Sequence, residues 1–213
     1  MLNILSFDLD GTLFPNSIDD RLWFELIPEE LAKAKDISIH KAKEYATREY
    51  NIIGPNDPRW YIPEYWLDRF GLDIDIKYLL DKMEYSDYIY DDVIYLKELS
   101  NKFDIIIASN NARSMLDKKV RAINRLGINI KASYSVVSDL NLTGKNTKFY
   151  KYICNSLGVK ADEVMHIGDN IVYDLLHARA SGLLSILIDR DNLMKHIDVI
   201  HSLYELGEIT QLL

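Results

Sequence analysis

The sequence predicts an α/β protein, a doubly wound parallel sheet with a helical segment inserted after the first strand. Three observations predict it. From Asp91 onward, short apolar runs alternate with amphipathic stretches, the strand–helix–strand rhythm that puts helices on both faces of a parallel sheet. Gly127, Gly158 and Gly182 fall where those stretches should stop, as C-terminal capping glycines do. Pro15–Tyr88 is rich in aromatic and charged residues and contains no apolar strand run, which sets it apart from the sheet.

Taken in order, Met1–Phe7 is an apolar run that reads as a first, buried strand from Leu2 to Phe7. The inserted segment has helical patterns at Ile18–Ile27, Ile39–Tyr50, Tyr65–Phe70 and Ile76–Met83, broken in its middle by Pro55, Pro58 and Pro63. Further strands are expected at Asp104–Ala108, Val164–Ile167 and Leu184–Ile188, with Tyr134–Val137 a shorter one and Val199–Ile200 a last edge strand. Helices are expected between them at Val93–Asn101, Arg113–Leu126, Thr147–Leu157, Asp174–Ser181 and Ser202–Leu212. The division that follows is a sheet-bearing core of residues 1–14 and 89–213 and a helical appendage of residues 15–88.

The chain has 213 residues, of which 48% are hydrophobic, enough for a sizeable core. Its formal charge of -8 argues against non-specific nucleic-acid binding, which needs a basic face. A single cysteine, Cys154, rules out a disulfide framework within the chain and reads as a buried helix residue. The N-terminus lacks the basic region of a signal peptide, and no apolar run approaches the length of a membrane span. A soluble, cytoplasmic protein without membrane or nucleic-acid partners is the expectation.

The chemistry concentrates where predicted strands end. Asp8-Leu9-Asp10-Gly11-Thr12 follows the first strand. Such a carboxylate pair could hold Mg²⁺, offer one acid as a nucleophile and leave the other to move protons; an Asp-Gly turn is the plainer reading. Ser109 and Asn110 follow the second strand, where their polar groups suit a phosphate oxygen or a helix N-cap. Gly168-Asp169 follows another strand, with Asp174 five residues on, a metal-holding pair or a turn residue and a helix cap. Lys145 precedes a predicted helix; alone, it reads as a surface lysine. In a doubly wound sheet the carboxyl ends of the strands converge on one crevice, which would gather Asp8, Asp10, Ser109 and Asp169, with Lys145 and Asp174 reaching in from adjacent loops. Carboxylates at that density repel one another and raise one another's pKa. A divalent cation resolves the conflict, and hard oxygen donors favour Mg²⁺.

Together these four elements resemble the motifs of the haloacid dehalogenase-like hydrolase superfamily, of the capped phosphatase type. Its first motif, Asp-x-Asp-Gly-Thr, is matched in full by Asp8–Thr12; the second by Ser109 with Asn110; the third by Lys145; the fourth by Gly168-Asp169 with Asp174. Ala178-Arg179-Ala180-Ser181-Gly182 is similar to the small-residue helix end that follows the fourth motif. The resemblance spans residues 1–14 and about 91–213 and implies a Rossmann-like core, with residues 15–88 in the place of a cap. It implies a phosphomonoester hydrolase in which Asp8 attacks phosphorus and forms an aspartyl-phosphate, and Asp10 carries the proton. It further implies that Ser109, Asn110 and Lys145 hold the phosphoryl group. Mg²⁺ would lie among Asp8, the Asp10 backbone carbonyl, Asp169 and Asp174. The acid at Asp10 favours phosphate transfer over halide displacement. A phosphomutase, a 2-haloacid dehalogenase and a non-catalytic binding protein are the alternatives.

The chain departs from the family pattern in three places: Asn146 stands where Pro often follows the lysine, Pro15-Asn16-Ser17 stands where Asp-Ser is usual, and Tyr173 where Asn often precedes the last acid. Lys148 competes with Lys145, and spacing to Gly158 favours Lys145. In the inserted segment Trp23, Trp60, Tyr61, Tyr65 and Trp66 read first as its own core and second as a pocket lining, since aromatics dominate small cores. Arg59 and Arg69 suit a second anion or a solvated face. The substrate class is a low-molecular-weight phosphorylated metabolite.

Overall fold

A computed structural model describes residues 2–211. Six strands form one parallel sheet: β1 (Ile4–Phe7), β2 (Asp104–Ser109), β3 (Ile130–Ser135), β4 (Val164–Gly168), β5 (Leu184–Ile188) and β6 (Val199–Ile200). They lie in the order β3-β2-β1-β4-β5-β6, so the strand order reverses beside β1. Ligands bind at that point in doubly wound sheets. Phe7 pairs with Ile107 on one side and Ile167 on the other. The chain therefore leaves β1, β2 and β4 at one level, and Asp8, Ser109 and Asp169 emerge along one edge.

Alternation along the strands divides the core between the two faces of the sheet. Leu5, Phe7, Ile105, Ile107, Met165 and Ile167 share one apolar cluster with Leu22, Trp66 and Phe70 of the inserted segment. Ile4, Ile106, Ala108 and Val164 share the other with Phe149, Tyr150 and Ile153. Ser6 and His166 are cross-strand partners and form a buried polar pair, Ser6 Oγ to His166 Nδ1 at 2.9 Å.

The inserted segment is helical, as expected: α1 (Ile27–Lys35), α2 (Ile39–Ile53), α3 (Pro63–Phe70) and α4 (Ile76–Leu80), joined by short 3-10 and π-helical pieces. The first helical pattern does not stop at Ile27. Pro28 sits in the first turn of α1, where its missing N–H costs nothing, so the chain continues as helix to Lys35. The core helices are α5 (Leu96–Leu99), α6 (Arg113–Arg125), α7 (Val136–Leu140), α8 (Thr147–Leu157), α9 (His177–Ala180) and α10 (Leu206–Gln211).

Several boundaries differ from expectation for local reasons. The strand expected at Tyr134–Val137 is β3, which ends at Ser135; the Ser135 hydroxyl accepts from Ser138 N at 2.9 Å and starts α7 at Val136. The helix expected from Asp174 begins at Ile171 as a π-helical turn, because Asn170 supplies the N-cap, accepting from Val172 N and Tyr173 N. Asp174 is thus freed from capping. Val93–Asn101 is a 3-10 segment, Asp91–Tyr95, followed by α5. Ser202 caps the 3-10 segment Leu203–Glu205 ahead of α10, and the expected end at Leu212 lies outside the described residues. Cys154 is buried, and no helix among the described residues is long and apolar enough to cross a membrane.

Candidate active site

The chain leaves β1 into a tight turn in which Leu13 N and Phe14 N both donate to Leu9 O, at 2.7 and 2.9 Å. Gly11 makes the turn possible, with φ at +78°. Glycine is also required for space, since a Cβ at this position would lie 2.1 Å from Asp169 Oδ2. The turn therefore brings Asp8 and Asp10 against the end of β4.

Asp8 is buried and bonded to Lys145, whose Nζ lies 2.5 Å from Asp8 Oδ1 and 2.6 Å from Asp174 Oδ1. Lys145 is itself buried, while Lys148 is exposed, so the lysine at the site is the former. His166 Nε2 lies 3.0 Å from the same Asp174 oxygen, and Asn170 N donates to the other at 3.0 Å. Carboxylate oxygens only accept, so His166 presents a hydrogen on Nε2, while its Nδ1 faces the Ser6 hydroxyl. Gly168 permits this approach: a Cβ there would lie 2.3 Å from Asp174 Cγ.

The electrostatics separate the acids. Burial first, then the charges of Asp174 and Asp169, push the Asp8 carboxyl well above its ordinary value, against the opposing pull of Lys145. Burial acts on Asp174 too, but Lys145 and His166 outweigh it and hold that carboxyl below its ordinary value. Burial pulls the Lys145 ammonium down, and Asp174 and Asp8 more than reverse it. Burial pushes the His166 imidazole below its ordinary value, against the opposing pull of Asp174. Asp169 is raised chiefly by burial, opposed by the Asn16 amide, which donates to its Oδ2 at 3.1 Å. Asn16 thus takes a role at the position where the first motif departs from the family pattern.

Asp8, Asp169 and Asp174 each offer a carboxylate oxygen, all within 4.8 Å of one another. Three hard, negatively charged donors at this separation fit a divalent cation such as Mg²⁺. Asp174 has both oxygens occupied by donors, whereas Asp169 has only Asn16. Asp8 and Asp169 therefore have more carboxylate oxygen left for a cation than Asp174 has. The Asp10 carboxylate is not in this group: its Oδ1 takes Lys119 Nζ and its Oδ2 takes Asn111 Nδ2, each at 2.5 Å.

Lys119 was not expected at the site. It lies on the buried stripe of α6 with Met115, Leu116, Ala122 and Ile123 and is fully buried. Besides Asp10 it contacts Asp19 Oδ2 at 2.7 Å and Asn111 Oδ1 at 2.8 Å. Tyr85 OH donates to the other Asp19 oxygen at 3.0 Å. The Asp19 carboxyl is pushed up to about 6, by burial and the Asp10 charge against the pull of Lys119. The available signal was a lysine interrupting an apolar helical stripe.

Neither Ser109 nor Asn110 caps α6, whose N-cap is Ala112. Ser109 is buried and its Oγ accepts from Asn111 N at 3.1 Å. Asn110 Oδ1 accepts from Gly144 N at 3.0 Å, tying the second motif to the loop that carries Lys145. From the inserted segment, the half-buried Tyr61 donates to Pro55 O at 3.2 Å, and burial raises its phenol against the opposing pull of the Asn110 side chain. The other aromatics follow the plainer reading. Trp66 is fully buried against Tyr50 and Phe70 and donates to Trp60 O, with Trp23, Trp60 and Tyr65 packed around that core. Arg59 pairs with Asp57 and Arg69 with Glu49, both at 2.6 Å, so neither faces the site as a free cation.

A family model described as haloacid dehalogenase-like hydrolase matches residues 2–182. The chain belongs to this family. Among solved structures, a phosphatase of this haloacid dehalogenase-like class from Thermococcus onnurineus superposes with a TM-score of 0.77 at 22% identity, covering 99% of this chain and 98% of that one. The L-2-haloacid dehalogenase of Xanthobacter autotrophicus superposes with a TM-score of 0.62 at 19% identity, covering 99% of both chains. Among curated relatives, a glyceraldehyde 3-phosphate phosphatase of Methanopyrus kandleri is 26% identical over 89% of this chain and 85% of its own. A GMP/IMP nucleotidase of Escherichia coli is 33% identical over 67 residues, and that match spans 32% of this chain and 30% of the nucleotidase's length. The four segments that resemble this family's motifs fall at the ends of β1, β2 and β4 and in the loop before α8.

Proposed function

We propose that the protein is a Mg²⁺-dependent phosphomonoester hydrolase acting on small phosphorylated metabolites through an aspartyl-phosphate on Asp8. In this reading residues 15–88 act as a cap on a core of residues 1–14 and 89–213, and the enzyme works in the cytoplasm. The observation that carries it is the second acid: Asp10 is held by Lys119 and Asn111, two residues beyond the buried, Lys145-paired Asp8. Displacement of halide needs no proton on the leaving group, whereas an alkoxide leaving from phosphorus does. The names of the two curated relatives, a nucleotidase and a triose-phosphate phosphatase, support small phosphate esters as substrates.

An Asp8 oxygen attacks phosphorus as Asp10 protonates the departing ester oxygen. Asp10 then takes a proton from water, which attacks the aspartyl-phosphate and releases phosphate. Ser109 and Lys145 hold the transferred phosphoryl group and offset its charge, with Asn110 fixing the loop between them. Asp8 and Asp169, with the Asp10 carbonyl and Asp174 beside them, would hold Mg²⁺, which when bound would supply neutralisation of the crowded negative charge.

The test is phosphate release from an aryl phosphate with and without Mg²⁺, for the native protein and Asp8→Asn. The reading requires activity that depends on Mg²⁺ and is lost in Asp8→Asn. Undiminished turnover in that variant removes Asp8 as nucleophile. Chloride release from a 2-haloacid, or phosphate retained on a product sugar, would favour the dehalogenase or the mutase instead.

A further inference from the structure

We infer that Lys119 is a positioning residue for proton transfer by Asp10, and that Asp19 couples this positioning to the cap. The inference rests on the proposed phosphatase reading and extends it to residues outside the four motifs.

In α6 a lysine stands where the helix should be apolar. Lys119 is fully buried on the core face of α6, and a buried ammonium is costly unless paired and hydrogen-bonded. Here it is fully satisfied. Its Nζ has three acceptors: Asp10 Oδ1 at 2.5 Å, Asp19 Oδ2 at 2.7 Å and Asn111 Oδ1 at 2.8 Å. The rings of Phe14 and Tyr85 close the remaining side, their centroids 5.9 and 5.5 Å away. Simple structural filling would be met by leucine, which the rest of the stripe uses in kind.

The geometry is directed at one carboxylate. Lys119 and Asn111 each take one Asp10 oxygen, and Lys119 also fixes Asn111 through its Oδ1. The Asp10 carboxyl plane is therefore set by α6 and by the turn after β2, not by its own loop. A proton donor within reach of the leaving oxygen must be oriented as well as present. Asp19 lies on the 3-10 segment Asn16–Asp19 that leads into the inserted helices. Tyr85, its other partner, lies on the segment leading back toward the core. Both connections to the cap thus meet at the ammonium that orients Asp10.

In the step concerned, the Asp8 Oδ–P bond forms as the P–O ester bond breaks. The ester oxygen keeps the bonding pair and takes the Asp10 proton. A leaving group that is stable as an anion needs little of this help, and an alkoxide needs most of it. Loss of positioning is therefore read as a change in leaving-group sensitivity. A general loss of folded enzyme would slow all esters alike.

The experiment compares kcat/KM, which reports the first chemical half, for p-nitrophenyl phosphate and for a simple alkyl phosphate, in the full chain with Mg²⁺. The native enzyme, Asp10→Asn, Lys119→Met and Lys119→Met/Asp19→Asn are measured. The double variant removes the carboxylate that Lys119→Met leaves without its cation, so a variant that folds is retained. Each variant is checked by thermal melting. The expected result is that both Lys119 variants lose at least ten times more on the alkyl ester than on the aryl ester, in the same sense as Asp10→Asn. Equal losses on both esters, with Asp10→Asn showing the selective loss, overturn the role of Lys119. No selective loss in Asp10→Asn itself overturns the underlying assignment of Asp10.

Discussion

One oxygen of Asp174 serves two donors: Lys145 Nζ lies 2.6 Å from it and His166 Nε2 lies 3.0 Å. The imidazole in turn takes its orientation from Ser6 on the neighbouring strand, at 2.9 Å. A three-member relay thus runs from the interior of the sheet to the lysine beside Asp8. Replacing His166 by Leu leaves the buried Ser6 hydroxyl without its side-chain partner. The expected cost is about 1–3 kcal/mol of stability, measured by denaturant unfolding. Ser6→Ala in the same background should recover part of that loss, and independent, additive effects would show that the two side chains are not coupled.

Lys145 is the sole cation bonded to Asp8 among the described residues. Lys145→Met removes it from between two buried acids. Breaking a buried ion pair by deleting one partner typically costs about 3–5 kcal/mol. The metal-free variant should melt well below the native protein, with phosphate release essentially abolished. Lys148→Met, at an exposed position, should change neither measurement.

The acidic trio predicts thermal stabilisation by Mg²⁺. A ligand bound only to the folded state adds about 2.7 kcal/mol at a hundred times its Kd. Melting temperature should therefore climb with Mg²⁺ concentration. In Asp169→Asn, which weakens the least committed of the three carboxylates, the rise should shrink or vanish. An unchanged Mg²⁺ response in that variant would remove Asp169 from the metal site.

A pH effect on stability is expected away from the site. Asp92 Oδ2 accepts from Arg190 Nη1 at 2.5 Å, Leu203 N at 2.8 Å and Ser202 Oγ at 2.9 Å. Burial pushes this carboxyl up, but these donors prevail and hold it below its ordinary value of 3.8. A carboxyl lowered on folding contributes stability that is present above its unfolded pKa and is lost as pH falls through the folded one. Melting temperature should fall as pH drops below 3.8. Asp92→Asn should start lower at neutral pH and show a shallower acid limb.

Much of this arrangement was legible in the sequence because it obeys local rules. Apolar runs marked β1, β2, β4 and β5, and glycines marked the ends of α6 and α8. Asp8, Ser109, Lys145, Asp169 and Asp174 stood out because each sits beside a strand end or a helix start. What was not legible depends on distance in the chain. Lys119 meets Asp10 across 109 residues, and its helix had to be placed in the sheet before the contact existed. His166 lay in plain view as a polar residue inside an apolar strand, yet its role needed Ser6 as a cross-strand partner. Boundaries moved wherever a side chain outcompeted propensity, as Ser135 did at the end of β3 and Asn170 ahead of Asp174.

The common level of β1, β2 and β4, with Phe7 opposite both Ile107 and Ile167, bears on how this chain can change length. One residue added or lost inside any of these strands moves an acid or the serine by about 3.3 Å and turns it to the opposite face. That displacement exceeds the 2.5 and 2.6 Å contacts made by Lys145. Turns at the opposite edge of the sheet, and the inserted helices, carry no such constraint. Variation in length is thereby directed to those turns and to the inserted helices, while Asp8, Ser109 and Asp169 keep their common level.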